Sequence, residues 1–174
     1  MRRLFILILV SIILLSTVAS AQTRRRSTRR SAPASKAAAE KTSAELLATR
    51  ERIATQIKTL SQFLYLYGGI AKGIESADLA SRSGEASTVA SQQNERTKAR
   101  VKDSIRNVRE GLDRLEADLR FGSPAVKSYY TYISGVARTA EMAENQAAAN
   151  RFDEAGKSLL KAVNQLADAL TAMR

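Results

Sequence analysis

The 174-residue chain contains no cysteine, no histidine and no tryptophan, and only 8 glycines and 2 prolines. Without Cys there is no disulfide, no thiolate nucleophile and no thiolate ligation of iron. Without His the commonest zinc ligand and the commonest general base are missing together. Few glycines and prolines mean few obligatory turns, and 44% apolar residues are enough to build a core. What is plentiful is Ala, Leu, Arg, Lys, Glu and Gln, the side chains that lose least freedom in a helix. The balance predicts one all-α domain with appendages, no metal and no cofactor.

Paired carboxylates are the single enzyme route that this composition leaves open. Glu110, Asp113, Glu116 and Asp118, however, stand among Arg106, Arg109, Arg114 and Arg120 at helical spacing, the pattern of solvated ion pairs. No Gly-rich phosphate loop, no Gly-x-Ser-x-Gly elbow and no Glu-x-x-His pair is present. The chain therefore reads as non-enzymatic, with no catalytic residue.

The net charge of +11 is concentrated near the start. Residues 1–21 contribute +2, residues 22–41 contribute +6, and residues 42–174 only +3. Met1-Arg2-Arg3 followed by the apolar run Leu4 to Leu15, then Val18-Ala19-Ser20-Ala21 with small residues at the two positions a signal peptidase inspects, reads as a signal peptide cleaved between Ala21 and Gln22. Arg2-Arg3-Leu4-Phe5-Ile6 resembles a twin-arginine export signal, although the greasy run favours the general secretory route. The alternative is an uncleaved anchor, since residues 4–21 form 18 positions without a charge. Arg24, Arg25 and Arg26 directly after the apolar stretch also oppose translocation of the downstream chain.

Residues 22–41 are rich in Ser, Ala and positive charge and have no long apolar side chain, which predicts a disordered tether. Arg24, Arg25, Arg26, Arg29 and Arg30 are its candidate anion contacts, suited to phosphates or sulfates on a membrane or another polyanion. With no interleaved aromatics, the segment is no specific reader of nucleic acid.

From residue 42 onward the apolar residues take helical spacing. Leu46, Ile53, Leu60 and Tyr67 recur every seven positions, with Ile57 and Leu64 between them, and Thr42 with Glu45 makes a capping box at the expected start. Gly68-Gly69 and Gly73 predict a kink or a separate short helix before a turn at Arg82-Ser83-Gly84. A second helix carries Val101, Ile105, Val108, Leu112, Leu115 and Leu119, and its seam turns polar upstream at Asn94 and Ser91, as though projecting beyond the core or meeting a partner. The run Arg96, Lys98, Arg100, Lys102, Arg106, Arg109, broken by Glu95 and Asp103, reads as a solvated face. Gly122, Ser123 and Pro124 read as C-cap, N-cap and first residue of a third helix continuing to Ala149. Asn150 is the expected N-cap of a fourth, with Phe152, Ala155, Leu159, Val163, Leu166, Leu170 and Met173 inward.

Phe152-Asp153-Glu154-Ala155, with Ala143, Ala155 and Ala162 at small positions and Leu159 at a bulky one, resembles a single tetratricopeptide hairpin, with Asn150 where that family usually has Gly. The resemblance covers residues 140–170 and implies a helical interaction surface, though no second copy follows at a 34-residue period. The tyrosines fall in two clusters, and three neighbours on a helix cannot all face inward. Tyr130 fits the core, leaving Tyr129 and Tyr132 as a candidate partner surface.

The expectation is thus an exported antiparallel bundle of about four helices with coiled-coil-like seams over residues 42–174. A signal peptide (1–21) and a disordered basic tether (22–41) precede it. Its role is binding or scaffolding in the cell envelope, through an unknown protein partner or self-association. The alternatives are contact with an anionic surface through residues 24–30 and a membrane protein anchored by residues 4–21.

Overall fold

A computed structural model describes residues 32–173, and every regular element among them is helical. The elements are α1 (Ala32–Arg82), α2 (Thr88–Phe121), the single turns α3 (Pro124–Lys127) and α4 (Tyr130–Ile133), α5 (Val136–Ala148) and α6 (Phe152–Ala172). The expected cleavage site, the apolar run and Arg24, Arg25, Arg26, Arg29 and Arg30 lie outside the described residues.

Helix α1 has 51 residues, a rod about 75 Å long at 1.5 Å per residue. It corrects three expectations. It starts at Ala32, so the last ten residues of the segment expected to be disordered are helical. Thr42 lies inside it, its hydroxyl donating 2.9 Å back to the Ala38 carbonyl instead of capping an end. It also runs unbroken through Gly68, Gly69 and Gly73, because a glycine costs a helix only about 1 kcal/mol and the buried row Ile53, Leu60, Tyr67, Ile74 repays it on the other face. The turn after Arg82 is where the sequence puts it, with Gly84 at φ +77°. The Ser87 hydroxyl then accepts from the Ala90 amide at 3.2 Å to start α2.

Cross-helix contacts fix the directions. Arg52 meets Asp118 at 3.1 Å and Asp78 meets Lys98 at 2.6 Å, so α2 runs antiparallel to α1. Arg106 and Arg109 bind opposite oxygens of Glu144 at 3.1 and 2.7 Å, while Thr139 meets Gln165 and Ser158 meets Gln146 at 2.9 and 2.7 Å, so α5 runs against both α2 and α6. Ala140, Ala143, Ala147, Ala155, Ala162 and Ala169 are fully buried. With methyl groups in place of longer chains, α5 sits close to its neighbours. Larger side chains fill the rest of the core, among them Ile105, Leu112, Leu119, Leu159 and Leu166.

The expected third helix is broken twice, and Glu116 explains the second break. Gly135 takes φ +87°, a conformation that suits glycine. The amides of Gly135 and Ala137, freed at the start of α5, each donate 3.1 Å to a different Glu116 oxygen. A carboxylate from α2 thus does the work of an N-cap and meets the positive end of the helix. Glu116 is therefore not the solvated ion-pair partner its spacing suggests. At the start of α3 Ser123 precedes Pro124 as expected, but its hydroxyl caps nothing, while its amide donates 3.4 Å to Glu45. Gly122 is required for space: a Cβ there would stand 2.8 Å from the Asp118 carbonyl oxygen.

The α5–α6 turn corrects the reading of Asn150. At φ +59° it is the left-handed residue that ends α5, with the Arg151 amide donating 2.8 Å to the Gln146 carbonyl. Asn is the residue other than Gly that tolerates this geometry best.

Candidate binding surface

The α5–α6 turn comes level with Tyr67 on α1, whose hydroxyl donates 2.5 Å to the Phe152 carbonyl, and with Lys102 on α2, whose ammonium lies 3.5 Å from the Ala148 carbonyl. Past Ile74 and Val101 no third helix among the described residues covers the pair. The ends of α1 and α2 continue as a two-helix arm, with α2 residues 88–100 spanning about 20 Å. The polar start of the second seam is thus an arm that projects beyond the core.

Within the arm the only buried side chains are Asn94 and Lys98, each 7% exposed. Both converge on one Asp78 oxygen, Asn94 at 2.7 Å and Lys98 at 2.6 Å, and Lys98 also reaches Glu95 at 2.8 Å. This corrects the solvated reading of the run from Arg96 to Arg109, because Lys98 faces α1. Burial alone would lower the Lys98 pKa, but the hydrogen bonds and charges of Asp78 and Glu95 outweigh it and raise it. At Glu144 burial pushes the carboxyl up, and the bonds from Arg106 and Arg109 reverse this and hold it below its ordinary value. Buried ionic clusters contribute little net stability, and their best-attested use is to fix register.

Beside the arm an open groove of about 1070 Å³ separates the outer side of α1 from the first turns of α6. Tyr67, Ile74 and Phe152 form its buried floor, and Leu79 and Leu160, 59% and 53% exposed, stand on its walls. The helices can approach at its base because Gly156 faces the Tyr67 ring, where a Cβ would lie 2.9 Å from Cε1. The rim carries both signs, with Lys72, Glu75 and Arg82 on α1, Arg151 just before α6, and Asp153 and Lys157 on α6. This is a mixed groove, with an apolar floor, two exposed leucines on its walls and a charged edge. A second cavity of about 490 Å³ lies by Glu116, Arg120, Tyr130 and Arg138, with its carboxylate engaged at the start of α5.

The candidate tyrosines divide. Tyr132 is 52% exposed, whereas Tyr129 is half-buried and packs against the core. Tyr130, expected inside, is also half-buried, its hydroxyl 3.5 Å from Glu116. Tyr132 is thus available at a surface and Tyr129 is largely a packing residue. The groove was not anticipated from the sequence. Part of its signal was present in Gly68, which lines it and has no neighbour within 4 Å of a built Cβ.

Among the described residues no group of acidic or other ligating side chains is placed to hold a metal ion, and no helix is long and apolar enough to cross a membrane. A scan against protein-family models gives no match, and searches of curated proteins and of solved structures give none either.

Proposed function

We propose that the chain is an exported, non-enzymatic helical module of the cell envelope that binds a protein partner through its projecting arm and adjoining groove. Residues 1–21 serve as the export signal, and the antiparallel packing of four long helices supplies the body. The observation that carries the reading is the exposure of Leu79 and Leu160 on facing walls of one groove with an apolar floor, since large apolar side chains exposed at a concavity suit contact with a partner. A photo-crosslinking residue at position 79, introduced in living cells, should give a discrete crosslinked product in the envelope fraction. The same residue at exposed position 51, on the same helix but away from the groove, should give none. Equal crosslinking at both positions would remove the arm as the binding surface.

A second reading is favoured by the start of α1. Arg24, Arg25, Arg26, Arg29 and Arg30 precede Ala32, the first residue of α1, by a few positions in the sequence, and five clustered cations suit contact with an anionic surface. Deleting residues 22–36 should abolish salt-sensitive binding to vesicles containing anionic lipid, five phosphate contacts being lost as salt rises. Binding that ignores either the deletion or the salt would remove this role.

A further inference from the structure

The α1 wall of the groove is a second seam beside the core-facing one. Leu64, Gly68, Lys72, Glu75, Leu79 and Arg82 all line the groove and follow one another at intervals of three or four residues, so they share a face. Lys72 and Glu75 take part in none of the ion pairs found among the described residues. The seam thus presents apolar side chains, an open glycine and three charges outside those ion pairs, Lys72, Glu75 and Arg82.

We propose that the occupant of this groove is a second copy of the chain, its α1 packed antiparallel against this one about a two-fold axis. The inference rests on the reading of the arm as a binding surface and names its partner. The seam is complementary to itself about a point between Gly73 and Ile74. An antiparallel α1 from a second copy, centred there, brings Leu79 opposite the second copy's Gly68, where nothing lies within 4 Å of a built Cβ. It brings Lys72 opposite the second copy's Glu75, and Arg82 opposite its Tyr65, a ring 86% exposed in the single chain. Two-fold symmetry repeats each pairing, so one register satisfies apolar, ionic and cation–π contacts in duplicate.

Neighbouring registers are worse. Sliding the second copy one heptad toward the arm tips sets Lys72 opposite Arg82, like charge against like charge. The shape agrees with the charge: in this register residues 74–82 of each copy lie along residues 65–73 of the other, on the α1 wall of its groove. Leu79 of each copy is then covered by the α1 wall of the other copy's groove, beside Gly68. A strongly acidic or basic partner would meet a rim of one sign, whereas this rim mixes both.

The test is the mass in solution of the intact chain from about 1 to 100 µM, a range that spans ordinary specific association. It is compared with Lys72→Glu, Glu75→Lys, the doubly swapped chain, and an equimolar mixture of the two single variants. Both sites are exposed, and helical circular dichroism confirms that each variant is folded. The natural chain is expected to dimerise, and each single reversal to weaken the dimer about tenfold or more. The double swap and the mixture should both restore it. A chain that stays monomeric throughout, or a dimer that neither reversal weakens, overturns the inference. A monomer that still crosslinks from position 79 to a different envelope protein overturns the second copy alone, and a monomer without that crosslink removes the binding surface as well.

Discussion

Replacing Leu112 by Ala lowers the unfolding free energy by about 3 kcal/mol, within the range for leucines truncated in close-packed cores. Leu112 is fully buried on α2, in the stripe shared with Ile105 and Leu119. The neighbouring α5 is already drawn in close through its alanines, so little can move to fill the gap and most of the cavity remains. Chemical denaturation should show a lower midpoint with an unchanged slope. Val89→Ala, at a position 75% exposed, should change stability by less than about 0.5 kcal/mol. A loss below about 1 kcal/mol at Leu112 would mean that the helices do not share the core described.

Tyr67→Ala should be more costly, at about 4 kcal/mol, because it removes a large buried ring and the partner of a carbonyl together. The ring is 3% exposed, packs against Phe63 with centroids 5.4 Å apart, and holds the start of α6 through the Phe152 carbonyl. Tyr67→Phe keeps the packing and should cost only about 1 kcal/mol. The two are also separated by pH. Burial, and then the charge of Asp153, push the Tyr67 phenol from 10.0 up to about 12. The fold therefore favours the neutral phenol, so this contribution is complete below pH 10 and is lost as pH rises from 10 toward 12. Relative to Tyr67→Phe, the natural chain should lose on the order of 2 kcal/mol across that window. Parallel alkaline curves for the two proteins would show that the phenol is not buried.

The long-range order of the fold was legible where one face of a helix carries a regular stripe. Val101, Ile105, Leu112, Leu115 and Leu119 are buried on α2, and Phe152, Ala155, Leu159, Leu166 and Met173 around α6, at the positions their spacing predicts. Val108, Val163 and Leu170 are half-buried at the edges of the same stripes. The turn at Gly84 was legible because a left-handed residue there favours glycine.

What was not legible depends on residues distant in sequence. The helix break at Gly135 needs Glu116, 19 positions earlier, to take the amides that the break exposes. Lys98 looks like one cation in a solvated run until Asp78, on another helix, is known to stand against it. Asn150 was correctly placed between two helices but assigned to the wrong one, since a polar residue at such a junction suits either an N-cap or a left-handed end. The groove escaped for a related reason. Its α1 wall combines Leu79 with Gly68, Lys72 and Glu75, so it lacks the apolar continuity that marks a core seam.

The most direct test of the account is the intact mass of the native protein in each fraction of the cells that make it. A chain in the soluble exported fraction that begins at Gln22 is the result predicted for an exported binding module. A chain of all 174 residues in the membrane fraction would contradict cleavage after Ala21, make residues 4–21 an anchor, and leave Arg24 to Arg30 next to the bilayer.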